Sequence, residues 1–205
     1  MRLYWHPFSV FPRRIRVALR EKRIACEEVE VDIPGGAHRT PEFLRLNPAG
    51  KLPILEDDGF VVAESTAILE YLEERHPTPS LLPGDLHDRA RVRQLMAGAD
   101  AYFTPAMVRH IHRVFSQPKP EWDRAAVDAD TAQMAAHLDV LERQLAGRDY
   151  LTGPFTLADV VYVPFVTPLP LLGLASLLDG RPAVAAWIAR LNTRPSVRAT
   201  APDGA

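Results

Sequence analysis

Residues 51–72 read K-L-P-I-L-E-D-D-G-F-V-V-A-E-S-T-A-I-L-E-Y-L, and the fold follows from this stretch. Pro53 precedes a short apolar strand, Ile54–Glu56. Asp57-Asp58-Gly59 then reverses the chain, because Asp and Gly tolerate the left-handed conformations of a tight hairpin. A second strand, Phe60–Ala63, runs into Glu64-Ser65 and a helix with apolar residues at Ile68, Leu69 and Leu72. The hairpin thus delivers a Glu-Ser pair to a helix N-terminus. Free N–H groups and the positive end of the helix dipole suit that position to a carboxylate. Pro53 is a candidate for a cis bond, since cis peptides are nearly confined to X-Pro.

Upstream, strand and helix alternate. Arg2–His6 reads as a strand, and Pro12–Lys22 as a helix with Ile15, Ala18 and Leu19 on one face. Glu27–Asp32 alternates like a second strand, Pro34-Gly35-Gly36 opens a loop, and Pro41–Leu46 is a short helix with proline at its start. The order is βαβαββα, with strands one and two parallel across a right-handed helical crossover. A thioredoxin-like domain over residues 1–78 is expected. His76-Pro77-Thr78-Pro79-Ser80 reads as a linker, and Leu81-Leu82-Pro83-Gly84 as its anchored end.

No strand pattern follows. Asp88–Val114 and Arg124–Leu145 read as long helices, and Pro182–Leu191 as the last clear one. The expected fold class is α/β plus all-α, with a helical bundle domain over residues 88–205. Thr156-Leu157-Ala158-Asp159 fits a capping box in which Asp replaces Glu. Val160–Leu178 carries no charge, but Pro164, Pro168, Pro170 and Gly173 would break a spanning helix repeatedly. It reads as a buried core helix followed by a loop.

Composition narrows the partners. The 205 residues are 47% apolar with a formal net charge of -2, so neither a nucleic acid nor an anionic membrane is indicated. The single Cys26 excludes an internal disulfide framework, and Met1–Pro7 lacks the apolar run of a signal peptide. A cytoplasmic location is expected. His110 and His112 point to different helix faces, so no metal is expected.

Gly50-Lys51-Leu52-Pro53-Ile54-Leu55 and Glu64-Ser65-Thr66-Ala67-Ile68-Leu69 resemble the two glutathione-contacting motifs of cytosolic glutathione transferases, of a bacterial-like, serine type. The resemblance extends to Leu3-Tyr4-Trp5-His6-Pro7-Phe8-Ser9, to Pro41–Pro48 and to Arg194–Ala199, and so covers essentially the whole chain. It implies glutathione as co-substrate, a small hydrophobic electrophile as its partner in conjugation, a detoxification role and a homodimer. Ala49 stands where some classes place an aromatic plug, so the dimer interface is not assigned to one.

Ser9 follows the first strand at a helix start, where a hydroxyl donor and the dipole would both favour a bound thiolate. The resemblance makes it the catalytic residue; as a plain alternative it is an N-cap. Tyr4 sits inside the strand and the loop holds no cysteine, which disfavours the tyrosine and cysteine types. By resemblance, Ser65 and Glu64 hold the γ-glutamyl end, Leu52 pairs through its backbone beside Pro53, and Lys51, His38 and Arg39 face the glycyl carboxylate. Phe8, Phe11, Tyr102, Phe103, Met107, His110, Ile111 and Phe115 could line an electrophile pocket; the helical stripe among them equally suits plain core. The rival functions are glutathione-dependent isomerisation, peroxide or disulfide reduction, and a non-catalytic binding or regulatory protein on the same fold.

Overall fold

The computed structural model describes residues 1–116 and 123–202, apart from the side chains of 115 and 116. The chain forms two compact units. One is Met1–Leu82 together with the segment from Pro195; the other is Pro83–Arg194.

The first unit contains β1 (Arg2–Trp5), α1 (Val10–Glu21), β2 (Glu27–Glu30), α2 (Pro41–Leu46), β3 (Ile54–Asp57), β4 (Phe60–Ala63) and α3 (Ser65–Arg75). Its sheet has the order β2-β1-β3-β4, with β1 parallel to β2 and the remaining pairs antiparallel. This is the thioredoxin-like order expected. The hairpin closes at the Asp57–Phe60 pair, with Asp58 at φ 49° and Gly59 at φ 83°. Two central residues with positive φ match the right-handed strand twist, which is why Asp-Gly is found here. Ile54 and Leu55 are both fully buried. Neighbouring strand residues point to opposite faces, so both faces of β3 are covered. Ile54 joins Val31 and Phe43 in a cluster that also takes Tyr4, Leu46 and Leu52. Helices α1 and α3 pack together, burying Ile15, Ala18, Leu19, Ile68, Leu69 and Leu72.

Two details depart from a simple amphipathic α1. Arg13 and Arg14 are buried, Arg14 completely. The short helix α10 (Pro195–Arg198) packs on α1, where Arg13 Nη2 donates to Val197 O at 3.4 Å and Ser196 Oγ donates to the Glu21 carboxylate. The end of the linker is tied down by Glu73. Its carboxylate accepts from Lys22 Nζ and Ser80 Oγ, each at 2.6 Å, and from the N–H groups of Leu81 and Leu82. Burial opposes ionisation of Glu73, but Lys22 and these donors hold the carboxyl below its ordinary range.

The second unit is helical: α4 (Leu86–Gly98), α5 (Thr104–Ser116), α6 (Arg124–Leu145), α7 (Leu157–Val160), α8 (Val163–Val166) and α9 (Pro182–Thr193). A π-helical turn, Ala99–Phe103, joins α4 to α5 where one regular helix was expected. Pro105 has no N–H to give to the preceding turn, so the regular ladder is interrupted there, and a single π turn stands at the interruption. Gln133 Nε2 donates to the Tyr102 carbonyl in that turn at 2.8 Å.

The expected capping box forms. Asp159 is fully buried, and its Oδ2 accepts from Thr156 N at 2.9 Å. Its Oδ1 accepts from Leu151 N at 3.1 Å and from Trp187 Nε1 at 2.9 Å. Beyond it the structure corrects the expectation of one buried core helix. Its first part, residues 160–166, is buried, yet the helix divides into α7 and α8. Pro164 cannot donate to Val160 O, and Phe165 N bonds the Tyr162 carbonyl three residues back instead. Among the described residues no helix is long and apolar enough to cross a membrane.

Candidate active site

The first unit gathers most of the residues singled out in the sequence. After β1 the chain turns so that Ser9 N donates to His6 O at 2.9 Å. Ser9 takes the N-cap position of α1, with extended backbone (φ -91°, ψ 114°), but its hydroxyl makes no capping bond. Five residues on, Arg14 Nη1 donates to Ser65 Oγ at 3.2 Å. This bond ties α1 to the first residue of α3. Ser65 is buried, and Glu64 ahead of it is exposed. Glu64 holds φ 70° and ψ 118°, a backbone region that non-glycine residues rarely occupy. Such strain, of the order of 1–3 kcal/mol, persists where surrounding structure imposes it and is common in ligand sites.

A second group flanks the start of β3. The Leu52-Pro53 peptide is cis, as expected, and so is Thr78-Pro79. The β1–β3 ladder ends at the Tyr4–Ile54 pair, which leaves the Leu52 backbone beyond it while the Leu52 side chain packs on the Val31–Phe43–Ile54 cluster. Asn47 shapes the preceding loop. Its Nδ2 donates to Lys51 O at 2.8 Å, its Oδ1 accepts from Ala49 N at 3.0 Å, and its carbonyl accepts from Gly50 N at 2.9 Å. Gly50 has φ 61°, and a Cβ there would lie 3.2 Å from the His38 carbonyl. The His38 loop therefore backs directly onto the residue before Lys51. His38 Nε2 accepts from Arg39 Nε at 3.2 Å, while its Nδ1 is buried without a partner among the described residues. Lys51 and Arg39 are exposed. Tyr4 donates its hydroxyl to Glu56 at 2.9 Å, so it is engaged within the sheet. A cavity of about 550 Å³ lined by Lys22, Arg23, Asp57, Asp58, Arg75 and His76 shares no residue with these groups.

The family profile described as "Glutathione S-transferase, N-terminal domain" matches residues 3–80, and "Glutathione S-transferase, C-terminal domain" matches residues 124–190. The chain belongs to the glutathione S-transferase family. Glutathione is the co-substrate of this family. The chain is 34% identical to Glutathione S-transferase F10 of Arabidopsis thaliana over 196 residues, which cover 92% of this chain and 90% of the relative. It is similar to the crystal structure of glutathione transferase F7 from Populus trichocarpa, with TM-score 0.88, 28% identity and 97% and 96% of the two chains covered. It also matches a glutathione S-transferase-I solved with lactoylglutathione, at TM-score 0.88, 31% identity and coverage of 98% and 97%.

The apolar residues expected to line an electrophile pocket divide. In the first unit of this transferase-family chain Phe8 is 80% exposed, and Phe11 is half-buried with the Arg14 guanidinium 5.2 Å from its ring centre. In the helical unit Phe103, Met107 and His110 are buried, as the plain-core alternative for the stripe has them. Phe103 packs on His137 and Tyr162, and His110 Nε2 lies 3.0 Å from the Leu172 carbonyl. A helical stripe at this spacing faces whatever covers it, and here the rest of the unit covers it. Tyr102 is 63% exposed and Ile111 half-buried, while the side chain of Phe115 lies outside the described residues.

Arg14 and Asn47 were not singled out from sequence. Arg14 lies three and four residues before Val17 and Ala18, on the buried stripe of α1, and that placement is the signal that marks it. Asn47 was legible only as part of a motif.

Proposed function

We propose that this chain joins the thiolate of glutathione to small apolar electrophiles. The observation that carries the reading is the Ser9 hydroxyl at the start of α1, which makes no capping bond to its own helix and has a proton to donate to a bound sulfur. In this reading residues 1–78 carry glutathione. Ser9 stabilises the thiolate, Ser65 donates to the γ-glutamyl α-carboxylate, and Glu64 meets its amino group. The Leu52 backbone pairs with the cysteinyl part, and Lys51, His38 and Arg39 face the glycyl carboxylate. In the first unit Phe8 and Phe11 keep apolar surface that an electrophile could use, and in the helical unit Tyr102 and Ile111 keep apolar surface of their own. Binding orients the thiol and lowers its pKa, and the chain supplies no other chemistry. Detoxification in the cytoplasm by a homodimer is the physiological setting that goes with this reading; light scattering tests the dimer.

Calorimetric titration with glutathione, followed by turnover against a panel of electrophiles, tests the proposal. Ser65→Ala should weaken glutathione binding roughly tenfold, the usual cost of losing a hydrogen bond to a charged group. Unchanged affinity in a folded Ser65→Ala variant would remove the assignment. Binding without conjugation of any electrophile, but with reduction of peroxides or disulfides, would move the chemistry to the rival reading. Glu64→Gly separates strain from contact. Glycine adopts positive φ freely, so stability should stay level or rise by up to about 1 kcal/mol while glutathione affinity falls. A drop in stability with affinity intact would show that Glu64 serves the fold alone.

A further inference from the structure

We infer that His6 is a positioning residue for Ser9, its imidazole holding the turn between β1 and α1 in the shape that presents the Ser9 hydroxyl. The inference rests on the proposal that Ser9 stabilises the thiolate. Only His6, Pro7, Phe8 and Ser9 separate the end of β1 at Trp5 from the start of α1 at Val10. Pro7 has no N–H, and the N–H groups of Phe8 and Ser9 both end on His6. Ser9 N donates to the His6 carbonyl at 2.9 Å, which closes a four-residue turn with proline in its second place, where a fixed φ suits the turn. Phe8 N donates to His6 Nδ1 at 3.3 Å. In asparagine, Oδ1 stands the same number of bonds from Cα as Nδ1 does in histidine, and asparagine at the head of a turn takes the N–H two residues on in this way. His6 does the same with its ring, and as an acceptor Nδ1 carries no proton. The ring also lies against Phe8, with centroids 5.7 Å apart and planes tilted by 52°. Upstream, Val31 N donates to the Trp5 carbonyl at 2.8 Å and anchors the strand end from which the turn starts. Ser9 leaves the turn with extended backbone, and its hydroxyl makes no capping bond to α1 that would aim it. Its direction is inherited from the turn, which His6 holds through both backbone and side chain. A donor that serves a sulfur must be placed closely, because a shift of about 1 Å is enough to weaken a hydrogen bond severely.

The test follows the ultraviolet absorbance of the bound thiolate as the glutathione complex is titrated with base. Turnover with the best electrophile of the panel, glutathione Kd by calorimetry and thermal stability are measured alongside. His6→Ala should raise the pKa of bound glutathione by about half a unit to one unit and cut turnover at pH 6.5 roughly three- to tenfold. Kd should change less than about twofold, since the residues that hold the peptide part of glutathione are untouched. His6→Asn keeps an acceptor for Phe8 N–H and should regain most of the wild-type pKa and turnover. His6→Phe keeps a ring against Phe8 without the acceptor and should match His6→Ala. The Asn and Phe variants carry the comparison if His6→Ala does not fold. In a Ser9→Ala background His6→Ala should add less than about twofold. A Phe variant that behaves as wild type, an Asn variant as poor as Phe, or a loss that persists undiminished without the Ser9 hydroxyl would each overturn the inference. A shifted thiol pKa in Ser9→Ala with none in His6→Ala overturns the inference alone, whereas an unshifted pKa in Ser9→Ala removes the underlying thiolate assignment as well.

Discussion

Asp159→Ala should destabilise the helical unit by about 4 kcal/mol, measured by urea denaturation with circular dichroism. The carboxylate accepts from Leu151 N, Thr156 N and Trp187 Nε1 at a site with no solvent access. Removing it leaves three buried donors unpaired, each costing about 1–3 kcal/mol. Asp159→Asn should fall between wild type and Ala, since its amide oxygen can keep one side of the network while its NH₂ faces donors on the other. The pH profile adds a second reading. Burial pushes the Asp159 carboxyl up to about 6, against the pull of these three hydrogen bonds and a fourth from Thr156 Oγ1. A folded-state pKa above the unfolded one means that the native state keeps the proton longer. This group's contribution is therefore full below about pH 4 and is lost as pH rises toward about 6, by an amount on the order of 2–3 kcal/mol. Both variants should lack that slope. A loss under 1 kcal/mol in Asp159→Ala would mean that the three donors find other partners and that the box is dispensable.

Ser9→Ala should cut turnover ten- to a hundredfold at pH 6.5 while costing little stability. If Ser9 lowers the pKa of bound glutathione by one or two units, losing it returns the thiol toward about 8.5, and each unit is a tenfold loss of thiolate below that pH. The deficit should shrink steadily as pH rises toward 9, where the thiol ionises unaided. Because the Ser9 hydroxyl does not cap α1, the stability loss should stay well under the roughly 1 kcal/mol typical of a lost N-cap. An unshifted pH–rate profile together with lowered stability would place Ser9 among structural residues instead.

Much of the first unit is readable from neighbouring residues alone. Asp58-Gly59 between two apolar runs makes the hairpin, because the turn's positive φ values are a local demand that few residue types meet. Phe60–Ala63 and Pro41–Leu46 were delimited as the structure has them, and Ser9 and the Glu64-Ser65 pair were readable as groups at helix starts. These are statements about chain geometry over a few residues, and sequence carries them directly.

What tertiary structure alone decided depends on which partner covers a given face. The stripe through Phe103, Met107 and His110 has the same spacing whether it lines a pocket or a core, and only the packing of Tyr162, His137 and Leu172 makes it core. The helix expected over 88–114 contains a π turn because the consequences of Pro105 depend on which groups can reach the released carbonyls. Spacing puts Arg14 on the apolar stripe of α1, but does not say what meets it there. Its burial, and with it the link to Ser65, comes from the approach of α3 some fifty residues later in the chain. The grouping of the Pro195 segment with the first unit likewise follows from its contact with α1. Periodicity gives the direction of a side chain about its own helix axis; the element waiting in that direction is set by the fold as a whole.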